Sequence, residues 1–230
     1  MSINVFKRIE EKYLITEEEK QKLLEEINSY IEKDMYYETT VCSIYYDNDN
    51  NDLIINSLQK PIYKDKIRLR SYGIPTLEDD VFLEIKNKYK GIVGKRRVKM
   101  TLNDFYNYLD GKKSFDNQIM KEIDYLFKYY VLKPNIFIAY DRTSYFGKKE
   151  KDIRITFDNN LRSRRDNLRL EYGDKGDKYL DSNLYIMEIK TLGGMPLWLV
   201  NSLSKLKIYP RSYSKYGTKY LQELKEMKIC

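Results

Sequence analysis

Hydrophobic and polar residues alternate along much of the chain, and this alternation predicts a protein built mainly from β-strands. In a strand, residues i and i+2 share a face, so Ile67 and Leu69 point away from Arg68 and Arg70. Gly, Pro and Asn-rich turns separate such segments at the spacing of an antiparallel meander. The predicted strands cover residues 3–15, 36–47, 64–72, 81–88, 92–100, 136–146, 152–157 and 185–191, with a further short strand at 169–172.

Between the predicted strands, apolar residues three and four positions apart predict helices. Thr16 and Glu19 form a capping box before the first of them, whose apolar face extends to Tyr30 and Ile31. Another helix follows Pro196, a residue suited to a first helical turn. The remaining predicted helices cover residues 52–58, 102–109, 117–130 and 214–227. This arrangement predicts an α+β fold with an antiparallel sheet or barrel, in a single domain over residues 1–230.

Composition narrows the class of protein. A chain of 230 residues with 42% hydrophobic and 14% aromatic residues buries a normal core and is not disordered. The mean hydropathy of −0.68 and the absence of a long apolar run predict no transmembrane span, and the first residues lack the apolar stretch of a signal peptide. Two distant cysteines, Cys42 and Cys230, do not make a disulfide framework, so a cytoplasmic location is predicted.

The chain contains no histidine, and this absence excludes several chemistries. Ser-His-Asp and Cys-His nucleophilic catalysis and histidine-based zinc sites are ruled out. Any bound metal must then be a hard cation held by carboxylates, such as Mg²⁺ or Mn²⁺. Any cationic role in binding or catalysis must then be filled by Lys and Arg.

Charged residues recur on one face of strand after strand, for example Arg68 with Arg70 and Glu84 with Lys86. An ordinary sheet would turn such a face toward water. A sheet closed with this face inward is the alternative, because the amphipathic helices can cover the apolar face from outside. Such a lumen would be strongly cationic and would have to hold water and an anion. Guanidinium geometry suits phosphate oxygens, so the implied ligand is a polyphosphate group.

Eight motifs follow one another along nearly the whole chain. They are Arg8-x-Glu10-x-Lys12 and the segments 67–70, 83–86, 94–99, 140–143, 153–156, 187–190 and 212–216. With these motifs in this order, the sequence resembles the VTC (vacuolar transporter chaperone) catalytic domain, the polyphosphate polymerase branch of the CYTH-like triphosphate tunnel metalloenzymes. The first motif is a variant of the ExExK signature of that superfamily. The resemblance implies a closed eight-stranded antiparallel β tunnel with helices packed outside.

The resemblance also implies roles for individual residues. Glu188 would hold a Mn²⁺ or Mg²⁺ ion on a nucleotide triphosphate. Arg8, Glu10, Tyr140 and Ser214 would bind phosphate or nucleotide. The catalytic cations that would line the phosphate path are Lys12, Arg68, Arg70, Lys86, Lys99, Arg142, Arg154, Lys190 and Lys215.

The implied activity is transfer of the γ-phosphate of ATP to a growing polyphosphate chain. Arg8 stands where hydrolytic relatives have the first Glu of ExExK, which favours holding a polyanion over activating water. A metal-dependent triphosphatase of the same fold and a non-catalytic polyphosphate-binding module remain alternatives. ATP and polyphosphate are the expected partners, a separate membrane protein is a possible one, and nucleic acid is not expected. Arg162, Arg164 and Arg165 are predicted to lie in an exposed loop, with an extension of the basic tunnel mouth as the alternative.

Overall fold

The computed structural model describes residues 8–59, 61–90 and 92–229, without the side chains of Arg8, Lys228 and Ile229. The strands are β1 (Arg8–Thr16), β2 (Ile31–Asp47), β3 (Tyr63–Tyr72), β4 (Asp80–Tyr89), β5 (Ile92–Thr101), β6 (Lys133–Gly147), β7 (Arg154–Arg164), β8 (Asp177–Lys178) and β9 (Leu184–Leu192). The helices are α1 (Glu17–Ile27), α2 (Asp52–Leu58), α3 (Leu102–Leu109), α4 (Gln118–Tyr130), α5 (Leu197–Lys205) and α6 (Lys215–Ile229).

The strands hydrogen-bond in the order β1-β9-β7-β6-β2-β3-β4-β5, and β8 pairs with β7. In the part of the chain that the structure describes, β1 and β5 are the two ends of this order, so hydrogen bonds do not complete the predicted ring. The end strand β5 carries Lys95, Arg96 and Arg97, all exposed. Charged side chains of this kind protect the edge of a sheet from pairing with another chain.

The chain divides into two compact units, each assembled from separate segments. Unit 1 contains the described residues up to 39 together with 140–161 and 180–214. Its core packs β1, β7 and β9 against α1 and α5, with Tyr13, Phe157 and Leu199 fully buried. The capping box at Thr16 is confirmed: its hydroxyl accepts from the N–H of Glu19, and the Glu19 carboxylate accepts from the N–H of Thr16.

Unit 2 contains residues 40–139, 162–179 and 215–229 of the described chain. Its core lies between the apolar faces of β3, β4 and β5 and the helices α3 and α4. Leu69, Leu83, Phe105 and Ile123 are buried completely. Alternation along the strands therefore places one apolar face under the helices and leaves the charged face on the other side.

The predicted end of the first helix and the predicted strand at residues 169–172 are wrong. Helix α1 ends at Ile27, because the chain turns there, with the N–H of Tyr30 donating to the carbonyl of Ile27, and Ile31 already belongs to β2. The predicted strand at residues 169–172 is instead a short 3-10 helix, Leu170–Tyr172. Leu170 alone is buried there, so the segment lacks the alternating burial that a paired strand requires.

The predicted exposed loop is wrong for Arg162 and Arg164, which belong to β7, whereas Arg165 is exposed and follows the strand. Arg162 is buried and donates to the carboxylate and carbonyl of Asp174. The guanidinium of Arg164 stacks 3.6 Å from the centre of the Phe137 ring. It donates to the carbonyl oxygens of Asn167, Arg169, Gly173 and Lys175. These arginines therefore supply the hydrogen bonds that an irregular loop cannot supply from its own backbone.

Among the described residues, no helix is long and apolar enough to cross a bilayer.

Candidate functional site

The charged strand face of unit 2 is buried at its centre on β3 and β4, although an ordinary sheet would expose it, while the cations of this face on β5 are exposed. Arg70 on β3 is 6% exposed and Glu84 on β4 is 1% exposed. Burying charged groups is costly unless they are paired and hydrogen-bonded. The burial therefore contradicts a solvated face for these strands and favours the inward-facing alternative.

Glu84 is the centre of this charged face. It lies opposite Arg68 in the pairing of β3 with β4, and its Oε2 is 2.7 Å from Arg68 Nε. Its Oε1 is 2.6 Å from Lys95 Nζ. Burial alone would raise the pKa of Glu84, but Arg68, Arg70 and Lys95 outweigh burial and lower the pKa to about 2. Glu84 is thus ionised throughout the physiological pH range.

Tyr45 and Ser43 on β2 complete this group, which we call the Glu84 cluster together with Glu84, Arg68, Arg70 and Lys95. The Tyr45 hydroxyl accepts a hydrogen bond of 3.1 Å from Arg68 Nη1, and the Ser43 hydroxyl accepts one of 3.1 Å from Arg70 Nε. Burial would raise the pKa of Tyr45, but Arg68, Arg70 and Lys66 lower it to about 7. The guanidinium groups are therefore held in fixed positions by short contacts on two neighbouring strands.

Sequence reasoning missed Tyr45 and Ser43, although the alternation along β2 contains the signal. Cys42, Ile44 and Tyr46 are buried in the apolar core of unit 2. Ser43 and Tyr45 lie between them and must therefore belong to the opposite, charged face. The alternation of polar with core residues along β2 would have identified Ser43 and Tyr45.

The other predicted cations of unit 2 occupy three different places. Lys86 lies on the face of Glu84, opposite Lys66 on β3 and Lys95 on β5. Lys99 is 61% exposed and pairs with Asp80 at 2.6 Å, so it is not a member of the Glu84 cluster. Lys215 is half-buried at the first position of α6.

Helix α6 begins close to the Glu84 cluster. The ring of Tyr216, its second residue, lies 5.2 Å from the ring of Tyr45. The Tyr216 hydroxyl donates to the side-chain oxygen of Asn135 at 2.8 Å. Because the first N–H groups of a helix favour anions, the position of this helix adds to the cationic character of the same region.

Unit 1 has a second charged group, which we call the Glu188 cluster. Glu188 is nearly buried, and its carboxylate lies 3.2 Å from Lys12 Nζ, 3.4 Å from Lys190 Nζ and 3.9 Å from Arg142 Nη2. Lys12 is directly opposite Glu188 in the pairing of β1 with β9. Lys12 Nζ is also 3.7 Å from the carboxylate of Glu10. The structure thus brings together Glu10, Lys12, Arg142, Glu188 and Lys190.

Arg142 is fixed by Asp158, a residue that sequence reasoning missed. Asp158 is completely buried and accepts two hydrogen bonds from Arg142, from Nε at 2.6 Å and from Nη2 at 2.8 Å. The guanidinium also lies 5.3 Å from the centre of the Tyr140 ring. Burial would lower the pKa of Arg142, but Asp158, Tyr140 and Glu188 raise it well above its ordinary value.

The remaining predicted residues of unit 1 lie around this group. Arg154 faces Lys190 in the strand pairing, but its Nη2 is 2.9 Å from Asp34, so it forms a separate pair. Ser214 is half-buried and immediately precedes α6. Lys12 Nζ donates to the carbonyl of the neighbouring Tyr213 at 3.4 Å. Arg8 begins β1, but its side chain lies outside the described part of the structure.

The two clusters differ in charge balance. The Glu84 cluster joins three cations to one carboxylate, and Lys66 and Lys86 share its strand face. In the Glu188 cluster, the three cations Lys12, Arg142 and Lys190 contact the carboxylates of Glu10, Glu188 and Asp158. Unit 2 therefore has the excess positive charge, while unit 1 has the carboxylates.

Residues 8–59, 61–90 and 92–229 contain no group of three or more acidic or cysteine side chains arranged to hold a metal ion alone. Glu10 and Glu188 both contact Lys12 and are the acidic pair on this part of the β1–β9 face. Mg²⁺ and similar ions are commonly held by one or two carboxylates together with phosphate oxygens of a substrate. The two carboxylates therefore fit a metal ion that is also bound by phosphate oxygens of a substrate. Lys12 would have to move away from the carboxylates for such an ion to bind.

The substitution Tyr45→Phe is expected to remove a phenol that loses its proton near neutral pH. The phenol has a pKa of about 7 in the folded protein and its ordinary value of 10.0 when unfolded. Because the folded value is lower, the phenolate stabilises the wild type as the pH rises above about 7, and this stabilisation is lost as the pH falls through 7. We expect the wild type to gain on the order of 2 kcal/mol over Y45F by about pH 8.5.

Thermal unfolding from about pH 6 to about pH 9 measures this difference, and the ultraviolet absorption of tyrosinate reports the ionisation directly. Tyr46→Phe is the matched control, because Tyr46 is the next residue and is buried, but burial and neighbouring tyrosines raise its pKa. Parallel stability curves for the wild type and Y45F would contradict the assignment.

Comparison with known proteins shows the family of this chain. The model of the VTC domain family matches residues 7–223. Vacuolar transporter chaperone complex subunit 4 of Schizosaccharomyces pombe is 28% identical over 148 residues, covering 54% of this chain and 20% of the yeast protein. The chain thus spans about one fifth of the length of that relative.

Two solved structures share the fold. A putative adenylate cyclase from Bacillus halodurans has a TM-score of 0.55 at 13% identity, with 90% of this chain and 93% of that chain covered. A putative adenylyl cyclase from Hippeastrum, described as having a dominant triphosphatase activity, has a TM-score of 0.52 at 12% identity, with 92% and 94% covered. The predicted α+β tunnel fold is confirmed by these similarities.

Proposed function

Because the chain belongs to the VTC domain family, we propose that it is a polyphosphate polymerase that uses ATP as its phosphate donor. The observation that carries this proposal is the excess of cations in the Glu84 cluster, where Arg68, Arg70 and Lys95 act on one buried carboxylate. Arginines with fixed guanidinium groups suit a ligand with many phosphate oxygens. A chain of phosphates supplies such oxygens repeatedly, whereas a single small anion would meet only part of the cluster.

In the proposed reaction, a terminal oxygen of the polyphosphate chain attacks the γ-phosphorus of ATP. The bond from this phosphorus to the oxygen bridging the β-phosphate breaks, and ADP leaves with the bonding electron pair. The attacking oxygen is already ionised, so no general base is needed, which agrees with a chain that lacks histidine. Positioning and charge neutralisation are then the main tasks of the protein.

The residues divide these tasks by unit. Arg68, Arg70 and Lys95 bind phosphate oxygens, and Glu84 and Tyr45 hold Arg68 in place. Lys86, Lys99, Lys215, Arg154 and Ser214 remain proposed phosphate contacts, and so does Arg8.

In unit 1, Arg142 is oriented by Asp158, and Lys12 and Lys190 neutralise the charge that develops on the transferring group. Glu188 and Glu10 would hold Mn²⁺ or Mg²⁺ with the nucleotide, where the ion supplies charge neutralisation. Tyr140 supports Arg142 through its ring.

The test is incubation with ATP and Mn²⁺, followed by electrophoresis for long phosphate chains and an assay for free phosphate. Chains longer than the donor, formed with ADP in equal amount to the phosphate transferred, support the proposal. Free phosphate from triphosphate without any longer product would replace it with a triphosphatase, an activity described for the Hippeastrum structure. Tight polyphosphate binding without turnover would replace it with a binding module.

The setting of this activity is also part of the proposal. The S. pombe relative is named as a subunit of a transporter chaperone complex, and the chain matches only part of it. We therefore propose that the polyphosphate product is passed to a separate membrane protein. The cytoplasmic location stays a prediction from cysteine usage.

A further inference from the structure

Unit 2 exposes a group of apolar side chains where β3 begins and where β4 and β5 meet. We call it the tip patch: Ile62, Tyr63, Tyr89, Ile92 and Val93. All five are exposed, and Ile92 is exposed to 75%. Strand pairing places Tyr63 opposite Tyr89 and Tyr89 opposite Ile92. The tip patch is therefore one contiguous surface, whereas exposed apolar residues scattered singly need no explanation.

The tip patch has apolar residues on both faces of the sheet. Tyr63, Tyr89 and Ile92 continue the face that carries the buried Ile67 and Ile85. Val93 belongs to the other face, in a row with Lys64 and Lys88. A flat protein partner would cover only one of these faces. An apolar medium into which the ends of the strands insert would cover both faces.

The exposed charges on the segments that form the tip patch are positive, whereas the carboxylate that contacts it, Asp65, is buried and accepts a hydrogen bond of 2.8 Å from the Tyr63 hydroxyl. Residues 60–64 and 88–97 contain lysines and arginines but no Asp or Glu. Lys88 and Lys90 are exposed, and Lys90 Nζ lies 5.4 Å from the centre of the Tyr89 ring. Tyrosine combines an apolar ring with a polar hydroxyl, and lysine keeps its ammonium group in the polar layer above its apolar stem. Aliphatic, tyrosine and lysine side chains together are typical of surfaces that bind anionic lipid.

We propose that the tip patch binds the surface of an anionic lipid bilayer. Ile92, Val93 and Tyr89 enter the boundary between headgroups and acyl chains, while Lys88 and Lys90 contact lipid phosphates. This binding is independent of the proposed polymerase activity, because it uses none of the residues of the two clusters.

Sedimentation with phosphatidylcholine vesicles that contain or lack phosphatidylserine tests the proposal, with triphosphate in excess to occupy the cationic clusters. We expect binding only to the phosphatidylserine vesicles, weakened by added salt. The variant I92S/V93S keeps every charge and should bind at least tenfold more weakly. The control M35S/L197S removes two other exposed apolar side chains, which lie in unit 1, and should bind like the wild type.

A second measurement reports insertion itself. A tryptophan placed by Ile92→Trp, in a protein whose single natural Trp198 is changed to phenylalanine, should be quenched by brominated lipids. Failure of the wild type to bind phosphatidylserine vesicles would overturn the proposal, and so would equal binding by I92S/V93S. Self-association that I92S/V93S abolishes, without vesicle binding, would overturn it in favour of a protein partner.

Discussion

Alanine at both Arg68 and Arg70 is expected to abolish the stabilisation of this protein by triphosphate. A ligand that binds only the folded state raises stability by about 2.7 kcal/mol at 100 times its dissociation constant. For a chain of this size that is roughly 5–10 °C in melting temperature. The double variant loses two of the three cations of the Glu84 cluster, so its shift should fall close to zero, measured from its own melting temperature. Isothermal titration should show the same loss of binding.

The matched control removes the same charge from elsewhere in unit 2. Lys112 and Lys121 are exposed on the surface and pair only with exposed carboxylates. The variant K112A/K121A should keep the full triphosphate shift, because exposed pairs contribute little and their charges are screened. An equal shift in R68A/R70A and the wild type would place the phosphate away from the Glu84 cluster.

The substitution Glu188→Gln is expected to lower the stability of the folded protein and to stop turnover. Added triphosphate should restore the stability but not the turnover. Glu188 is the shared partner of Lys12, Lys190 and Arg142, so its loss leaves cations that repel one another. Breaking a buried ion pair costs about 3–5 kcal/mol, and the partial exposure of the lysines reduces this to about 2 kcal/mol. Triphosphate should recover this loss by supplying the missing negative charge, and metal-dependent transfer from ATP should remain absent.

Thermal unfolding with and without triphosphate, together with the polymerase assay, separates these effects. Glu26→Gln is the control, since Glu26 pairs with Lys205 alone on the surface of unit 1. It should change neither stability nor turnover by a measurable amount. Wild-type turnover by E188Q would remove Glu188 from the proposed metal site, whereas lost turnover without any change in stability would contradict the described ion pairs.

Face assignments were predictable from the sequence because the period of a strand is local. Arg68 and Arg70 had to share a face opposite Ile67 and Leu69, and the structure agrees. The cap at Thr16 is local in the same way and was also predicted. Features that depend on a few neighbouring residues can be read without knowing which strands pair.

The register between paired strands, and the partner that each charged side chain contacts, could not be predicted in this way. Lys95 and Lys99 share a face of β5, so alternation cannot tell which of them meets Glu84. The pairing of β4 with β5 places Arg97 opposite Glu84, with Lys95 and Lys99 on either side of it. The second lysine pairs with Asp80 instead, and Lys95 is the one that contacts Glu84.

Asp158 was missed for a related reason. The predicted strand ended at Phe157, the residue before Asp158, whereas β7 continues to Arg164. Its last residues find partners in the loop that follows, such as Asp174, and in Phe137 on β6. The apolar pattern fades in this polar, arginine-rich stretch, so the sequence alone indicates a loop.

The assembly of each unit from distant segments has a consequence for synthesis of the protein. Lys12 and Tyr213, which are in contact, are 201 positions apart in the chain. β1 must wait for β9 before it can pair, since β9 is its hydrogen-bonded neighbour. Contacts between such distant residues slow folding, because a long loop must close before they form. A nascent chain therefore carries β1 without this neighbour until β9 has been synthesised, and the Glu188 cluster cannot form before that point.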